Sequence, residues 1–263
     1  MPESNPVAVH MRTAYGDGAF VRSLIICSPV PGRVSLAMED VGHAFQIDFT
    51  HEDGKVTSVK AAWNRRPFDG CGGAATALEA MVGCPLSDNL FAIARYTDPK
   101  QQCTHMYDMF CLAATHAYER RTDYRYDVVV PDSIDGPVVA TLTRNGEKQL
   151  EFEMNGEDYV TIVQPEACRG LSILRGFMPW VKANVPVNQH ELYFLMQKAL
   201  FVSRIQKFDL TPLLGKSAEL SGPPSGSCYA SQSERYQTAV RVNVSRRFSR
   251  EPAGQGLEFF KPR

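Results

Sequence analysis

The sequence has no long hydrophobic run, no excess of charge of either sign and no paired-cysteine motif. Each absence removes a class of function. No apolar stretch approaches the roughly 18–20 residues that cross a bilayer as a helix, so no membrane partner is expected. Lys and Arg number 28 against 29 Asp and Glu, a formal net charge of -1, and basic residues cluster only as pairs at Arg65-Arg66, Arg120-Arg121 and Arg246-Arg247. Such a chain lacks the positive field that draws in a polyanion, so no nucleic-acid partner is expected. The 7 cysteines are odd in number and scattered, and none forms C-x-x-C, which leaves no zinc ribbon and no redox pair. The opening Met-Pro-Glu-Ser-Asn-Pro has neither the basic nor the apolar segment of a secretory signal. With free thiols, it points to a cytoplasmic protein.

Chemistry-bearing loops are missing too. There is no G-x-x-x-x-G-K-S/T, no G-x-G-x-x-G after a strand, no G-x-S-x-G and no H-E-x-x-H. Gly70-Cys71-Gly72-Gly73 opens a helix and reads as a flexible start more readily than as an anion cradle. The expectation is a protein without cofactor or metal, whose chemistry rests on acidic, basic and hydrogen-bonding side chains.

What is present is strand and helix in separate blocks. Phe20–Pro29, Arg33–Glu39, His43–Thr50 and Lys55–Trp63 read as strands. In the third, Phe45, Ile47 and Phe49 alternate with Gln46 and Asp48, the period of two that puts one face in a core. Glu52-Asp53-Gly54 supplies a tight turn into the fourth. A second block runs Tyr124–Val130, Val138–Arg144, Lys148–Met154 and Asp158–Val163, with Asn145-Gly146 and Asn155-Gly156 as type I′ turn signals. Helices are expected over Gly73–Val82, from Asp98 through Arg120-Arg121, and from Asn188 to Lys207. Strand blocks joined by hairpins, with helices gathered apart, define an α+β fold: antiparallel meanders of about seven or eight strands packed with three main helices. Residues 1–248 read as one domain and 249–263 as a disordered tail.

The second helix carries the sharpest candidates. At 100° per residue, Cys103, Met106, Tyr107 and Phe110 share an apolar face, while His105, Asp108, Met109, Leu112 and His116 share a mixed one that suits a cavity wall. His105 and His116 stand roughly 16 Å apart along the axis, too far to share a metal. Asp108, three residues from His105, is placed to orient its imidazole. His43 opens the best-patterned strand, and Arg66 can pin a carboxylate or phenolate. After a Gly/Pro/Ser connector over 211–227, the segment from Cys228 brings Tyr229, Arg235 and Arg241, as if sent to close a pocket.

Three stretches resemble a bacterial family catalogued as a domain of unknown function, number 2889. They are Glu39-Asp40-Val41-Gly42-His43-Ala44-Phe45 with His51-Glu52-Asp53-Gly54, then Arg66-Pro67-Phe68 leading to Cys71 and Ala74, and Cys103-Thr104-His105-Met106 where the family has C-T-H-L. The ending from Cys228-Tyr229 to Arg241 is similar to the family's C-Y-x-x-Q-P-E-R, with Ser233 where Pro is typical. The resemblance implies a setting in bacteria that consume lignin-derived aromatics. There it suggests a cofactor-independent lyase that converts a phenolic, phenylcoumaran-type dimer to a stilbene with release of formaldehyde. On that reading His105 is the base, oriented by Asp108. Tyr229 and His43 complete the catalytic set, and Arg66, Tyr107, Trp63, Arg235 and Arg241 are substrate-binding candidates. The alternatives are a non-catalytic small-molecule-binding or scaffold protein, or another cofactor-free isomerase, decarboxylase or hydrolase. A homodimer is the base-rate expectation for assembly.

Overall fold

The computed structural model describes residues 11–13, 15–121, 123–134, 136–244, 248–249 and 256–262. One antiparallel sheet organises them. Its strands are β1 (Gly18–Cys27), β2 (Arg33–Glu39), β3 (Ala44–Glu52), β4 (Lys55–Arg65), β5 (Tyr124–Pro131), β6 (Val138–Arg144), β7 (Glu147–Met154) and β8 (Ile162–Gln164). They lie in the order β4-β3-β2-β1-β5-β6-β7-β8, and the two-residue β9 (Phe248–Ser249) pairs with Gly18–Ala19 of β1. The α+β class and the antiparallel meanders of about seven or eight strands expected from the sequence are what the structure has: β1–β4 and β5–β8 are two meanders joined in one sheet where β5 pairs with β1.

Register explains which face is buried. Trp63 lies opposite Phe45, Phe45 opposite Met38, Met38 opposite Leu24, Leu24 opposite Tyr126, and Tyr126 opposite Arg144. Directly opposed residues project to the same side, so this row sits on one face. The next row over, through Ser23, Glu39 and Asp127, is polar and faces away: Ser23 Oγ donates to Asp127 Oδ1 at 2.5 Å and Ser35 Oγ to Asp48 Oδ1 at 2.6 Å.

Two helices, α3 (Thr104–Glu119) and α5 (His190–Ser203), cover the apolar face. Phe110 of α3 packs on Phe49 with ring centroids 5.1 Å apart. The helices are tied to each other by Lys198 Nζ to Asp108 Oδ2 at 2.9 Å, and by Glu191 Oε2 to His116 Nε2 at 3.2 Å. Shorter helices are α1 (Ala74–Ala77), α2 (Leu90–Ile93), α4 (Phe177–Asn184) and α6 (Ser233–Thr238). No described helix is long and apolar enough to cross a membrane.

Four expectations are corrected. The helix expected from Asp98 is broken: Asp98 Oδ1 does accept from Lys100 N at 2.9 Å, but it caps only a short 3-10 turn, and α3 starts at Thr104 after extended backbone at Gln102. Asn145-Gly146 makes a two-residue hairpin turn, with φ of 52° and 83°. Asn155-Gly156 does not. Met154 pairs with Ile162, so a seven-residue loop intervenes, built by Asn155 Oδ1 accepting from Glu157 N and Asp158 Oδ1 from Val160 N and Thr161 N. Asx turns outcompeted the I′ turn there. Helix α4 was not expected, because Pro179 interrupts its pattern, yet proline fits a first turn. The expected disordered tail partly lies outside the described residues, but residues 256–262 dock on the polar sheet face: Leu257 N donates to Glu39 Oε2 at 2.8 Å.

Candidate active site

The site grows from the four-residue connection between β2 and β3. Asp40 is fully buried, and its Oδ1 accepts from the backbone amides of Gly42 and His43, each at 2.9 Å. This Asx turn fixes the loop and brings the His43 ring back, so that Nδ1 lies 3.2 Å from the same oxygen. The other carboxylate oxygen takes Arg22 from β1, through Nη2 at 2.7 Å and Nε at 3.3 Å. Arg65, aimed by the bulge where β4 slips one residue against β3, donates to Glu39 Oε1 at 2.9 Å and to the Asp40 carbonyl. Burial alone would raise the Asp40 pKa, but His43 and Arg22 hold it well below the usual carboxylate range. The ionised carboxylate therefore accepts the Nδ1 proton of His43. Nε2, on the other side of the His43 ring, is left for another partner, the arrangement of a carboxylate-anchored imidazole.

His105, in the first turn of α3, stacks on His43 with ring centroids 3.8 Å apart and planes at 22°. Burial, then the neighbouring His43 and Arg22, hold its pKa well below the usual histidine value, so the ring is neutral near pH 7. The positive end of the helix dipole acts in the same direction.

Both imidazoles line a cavity of about 470 Å³, the size of sites that take small organic ligands. Its walls come from the β2–β3 turn, the start of α3, the end of α5 and the C-terminal segment 221–244. They are mostly apolar, with Met38, Val41, Phe68, Met109, Val202 and Ile205 among them, and the exposed Phe201, Pro223 and Val244 mark the mouth. Elsewhere, the hollow beside Tyr15 and Lys207 holds only about 20 Å³, and the hollow of about 400 Å³ against Lys60 and Glu79 has no histidine, tyrosine or cysteine in its lining.

The C-terminal segment is a strap with a small core of its own: Phe68, Cys71, Ala218, Ala230, Tyr236 and Ala239. Backbone bonds fasten it, from Tyr229 N to Gln102 O and from Val242 N to Pro67 O, both 2.9 Å. Cys228, Tyr229 and Ala230 thus reach the cavity wall together. A Cβ on Gly73 would meet the Tyr229 hydroxyl at 2.3 Å, so only glycine lets the ring settle there. Among the described residues that hydroxyl has no hydrogen-bond partner.

Of the residues singled out from sequence, His43, His105, Asp108, Tyr229 and Arg241 all line the cavity. Their roles differ from those expected. Asp108 pairs with Lys198 rather than orienting His105. The carboxylate at the imidazole pair is Asp40, which an Asp three residues before a turn histidine could have signalled. Tyr107 is 1 % exposed, and its hydroxyl donates to Thr97 O at 3.2 Å, in the core beneath α2 rather than at the cavity. Trp63 stands behind the wall: Nε1 donates to Cys71 O at 3.0 Å and the ring edge meets Phe45. Arg66 is also off the wall, its Nε buried without a partner. Arg235 sits behind Tyr229, its guanidinium 3.9 Å from the ring centroid and its Nε donating to Tyr229 O at 2.8 Å. Arg22 and Lys198 line the cavity and were missed, since single cations in a strand and a helix carry no motif.

Three cysteines, Cys71, Cys103 and Cys228, share the wall. Burial pushes the Cys71 thiol up to about 12 and Cys103 further. These two stay protonated, as apolar surface rather than nucleophiles. Asp40, His43 and His105 do place possible metal-ligating atoms within 4.8 Å of one another, a grouping the scattered sequence positions did not suggest. Their placement suits a metal poorly. A ring nitrogen binds along its in-plane lone pair, and stacked rings aim those pairs side by side instead of at one point. Asp40 already accepts five N–H contacts.

A sheet-and-helix protein with two stacked imidazoles, one of them anchored by a carboxylate, in an apolar cavity is the class these features define. The family model described as a protein of unknown function (DUF2889) matches residues 28–119, a third of the chain. That span supplies Asp40, His43 and His105 but not Lys198, Tyr229 or Arg241. No curated protein matches the chain.

Proposed function

We propose that the protein is a cofactor-independent lyase acting on phenolic, lignin-derived aromatic dimers of the phenylcoumaran type, releasing formaldehyde and leaving a stilbene. The observation that carries this reading is the apolar cavity of about 470 Å³ with His43 and His105 on one wall, Asp40 anchoring His43 from behind, and Tyr229 brought to another by the strap.

The chemistry asks for little else. The ionised para-hydroxyl group of the substrate pushes an electron pair through its ring, and the benzylic C–O bond breaks toward the departing phenoxide. Tyr229 donates a proton to that oxygen, and a quinone methide remains. His43 Nε2 then takes the hydroxymethyl O–H proton. The O–H pair becomes the carbonyl of formaldehyde, the carbon–carbon bond pair becomes the stilbene double bond, and the ring regains its phenolate. Two protons leave substrate, from phenol and hydroxymethyl, and two are taken up, by the phenoxide and the product phenolate. No external electron acceptor takes part. Asp40 keeps the His43 imidazole in the tautomer that accepts at Nε2.

The base is here His43 rather than His105. Incubation of the protein with phenolic phenylcoumarans should release formaldehyde and stilbene absorbance in equal amounts. Loss of a positioned acid or base slows such steps by roughly 10²–10⁴-fold. Tight binding with neither product formed would sink the lyase reading and leave a ligand-binding protein.

A further inference from the structure

We infer that the cavity takes its aromatic ligand as the phenolate, with Arg241 as the counter-charge. The inference rests on the aromatic-ligand reading above and deepens it by fixing the ligand's ionisation state. The charges on the wall do not cancel. Arg22 is answered by Asp40 and Lys198 by Asp108, each within 2.9 Å. Arg241, also on the wall, is only 3 % exposed, and among the described residues it has no carboxylate partner. Its Nε and Nη2 donate to Ser221 Oγ, Nη1 donates to Asn243 O, and the guanidinium lies 4.7 Å from the Phe68 centroid. All these partners are neutral. A guanidinium with five N–H groups keeps donor capacity after such contacts. Three permanent cations on the wall, Arg22, Lys198 and Arg241, thus face two carboxylates, Asp108 on the wall and Asp40 behind it. Besides the two histidines, the other titratable groups on the wall, Tyr229 and the three cysteines, are neutral when protonated. One positive charge in an apolar hollow is left for the ligand to answer, and a buried cation is stabilised most by an anion that hydrogen-bonds to it.

An ordinary phenol ionises near pH 10. Binding beside an uncompensated guanidinium lowers that value, and the phenolate is the form that can push electrons to the benzylic carbon. The same feature that selects the ligand thus prepares it.

The test uses 4-hydroxystilbene, which has no hydroxymethyl group to lose, so it reads the bound ionisation state independently of formaldehyde release. With the full chain near pH 8, the bound ligand should show the red-shifted phenolate absorbance while free ligand stays neutral. It should also bind roughly tenfold or more tighter than 4-methoxystilbene, as charge-assisted hydrogen bonds imply. Arg241→Gln should erase both differences, and Arg241→Lys should keep the shift in part. A neutral-phenol spectrum for bound ligand across about pH 6–9, or equal affinity for the methyl ether, would overturn the inference from the wild-type protein alone, whatever the variants' stability. Failure of both stilbenes to bind would remove the aromatic-ligand reading and this one with it.

Discussion

Asp40, 3.2 Å from His43 Nδ1, is the carboxylate that serves the imidazole pair, and Asp108 is not. Spacing on a helix made Asp108 a neighbour of His105, but side-chain direction decided otherwise, since Lys198 from α5 sits within 2.9 Å of it. Histidine positions alone did not disclose that a turn and a helix start 62 residues apart would stack their rings. The two rings separate by experiment. His43→Gln should lower turnover roughly 10²–10⁴-fold with little change in the urea midpoint. His105→Gln should lower it less, because that ring supports His43 and is not anchored by a carboxylate. Steady-state rates of formaldehyde release check this, and equal losses in both variants would contradict the assignment. Gly73 offers a second residue-level test. Gly73→Ala forces a methyl group onto the Tyr229 hydroxyl and should destabilise by about 1–3 kcal/mol. Adding Tyr229→Phe should recover part of that loss, measured as the shift in urea unfolding.

Elements were legible in proportion to how local their causes are. Strands β2 and β6 begin and end where alternation and turn residues put them, at Arg33–Glu39 and Val138–Arg144. Helix α5 was expected from Asn188 to Lys207, but it begins at His190 without a side-chain cap, and a 3-10 turn completes its end over Arg204–Lys207. What stayed hidden depends on distant partners: the break before Thr104, the shortening of β8, and above all the strap. The polar residues after Cys228 suggested a docked segment, but nothing in them named Pro67 and Gln102 as its moorings. The strap holds itself through Tyr236, whose hydroxyl donates to Pro223 O at 2.5 Å and whose ring fills the small second core. Tyr236→Ala removes that filling, a change worth about 3–5 kcal/mol in a well-packed site. Amide exchange should speed up across 221–244 while strand amides of β1 and β5 keep their protection. Uniform loss of protection across sheet and strap would show that the strap is not a separate unit.

For the whole molecule, acid sensitivity follows from two rings folded in the neutral state. Burial lowers the pKa of His105 and of His116, the latter despite Glu191 beside it. Below the unfolded histidine value of about 6.5 the unfolded chain binds protons that the folded chain refuses, so stability falls with falling pH. Each ring contributes a slope of up to about 1.4 kcal/mol per pH unit until its folded pKa is reached. Asp40 and Glu191, whose folded pKa values are lowered despite burial, add a further loss only below about pH 4. Urea midpoints should therefore be flat between about pH 7 and 8, drop from about pH 6.5 downward, and fall again above about pH 8.5, where the buried thiols stay protonated only in the folded chain. His116→Gln should reduce the slope without touching formaldehyde release. A midpoint independent of pH between about 7 and 5 would contradict it. The stacked rings carry one last consequence. Two charged imidazoles 3.8 Å apart would repel by about 4 kcal/mol at an effective dielectric near 20, about three pK units. The pair accordingly stores a single hydrogen ion at a time. On the lyase reading proposed above, a proton taken by one ring would have to leave before the other could take one, so the stacking would set an order of proton transfers.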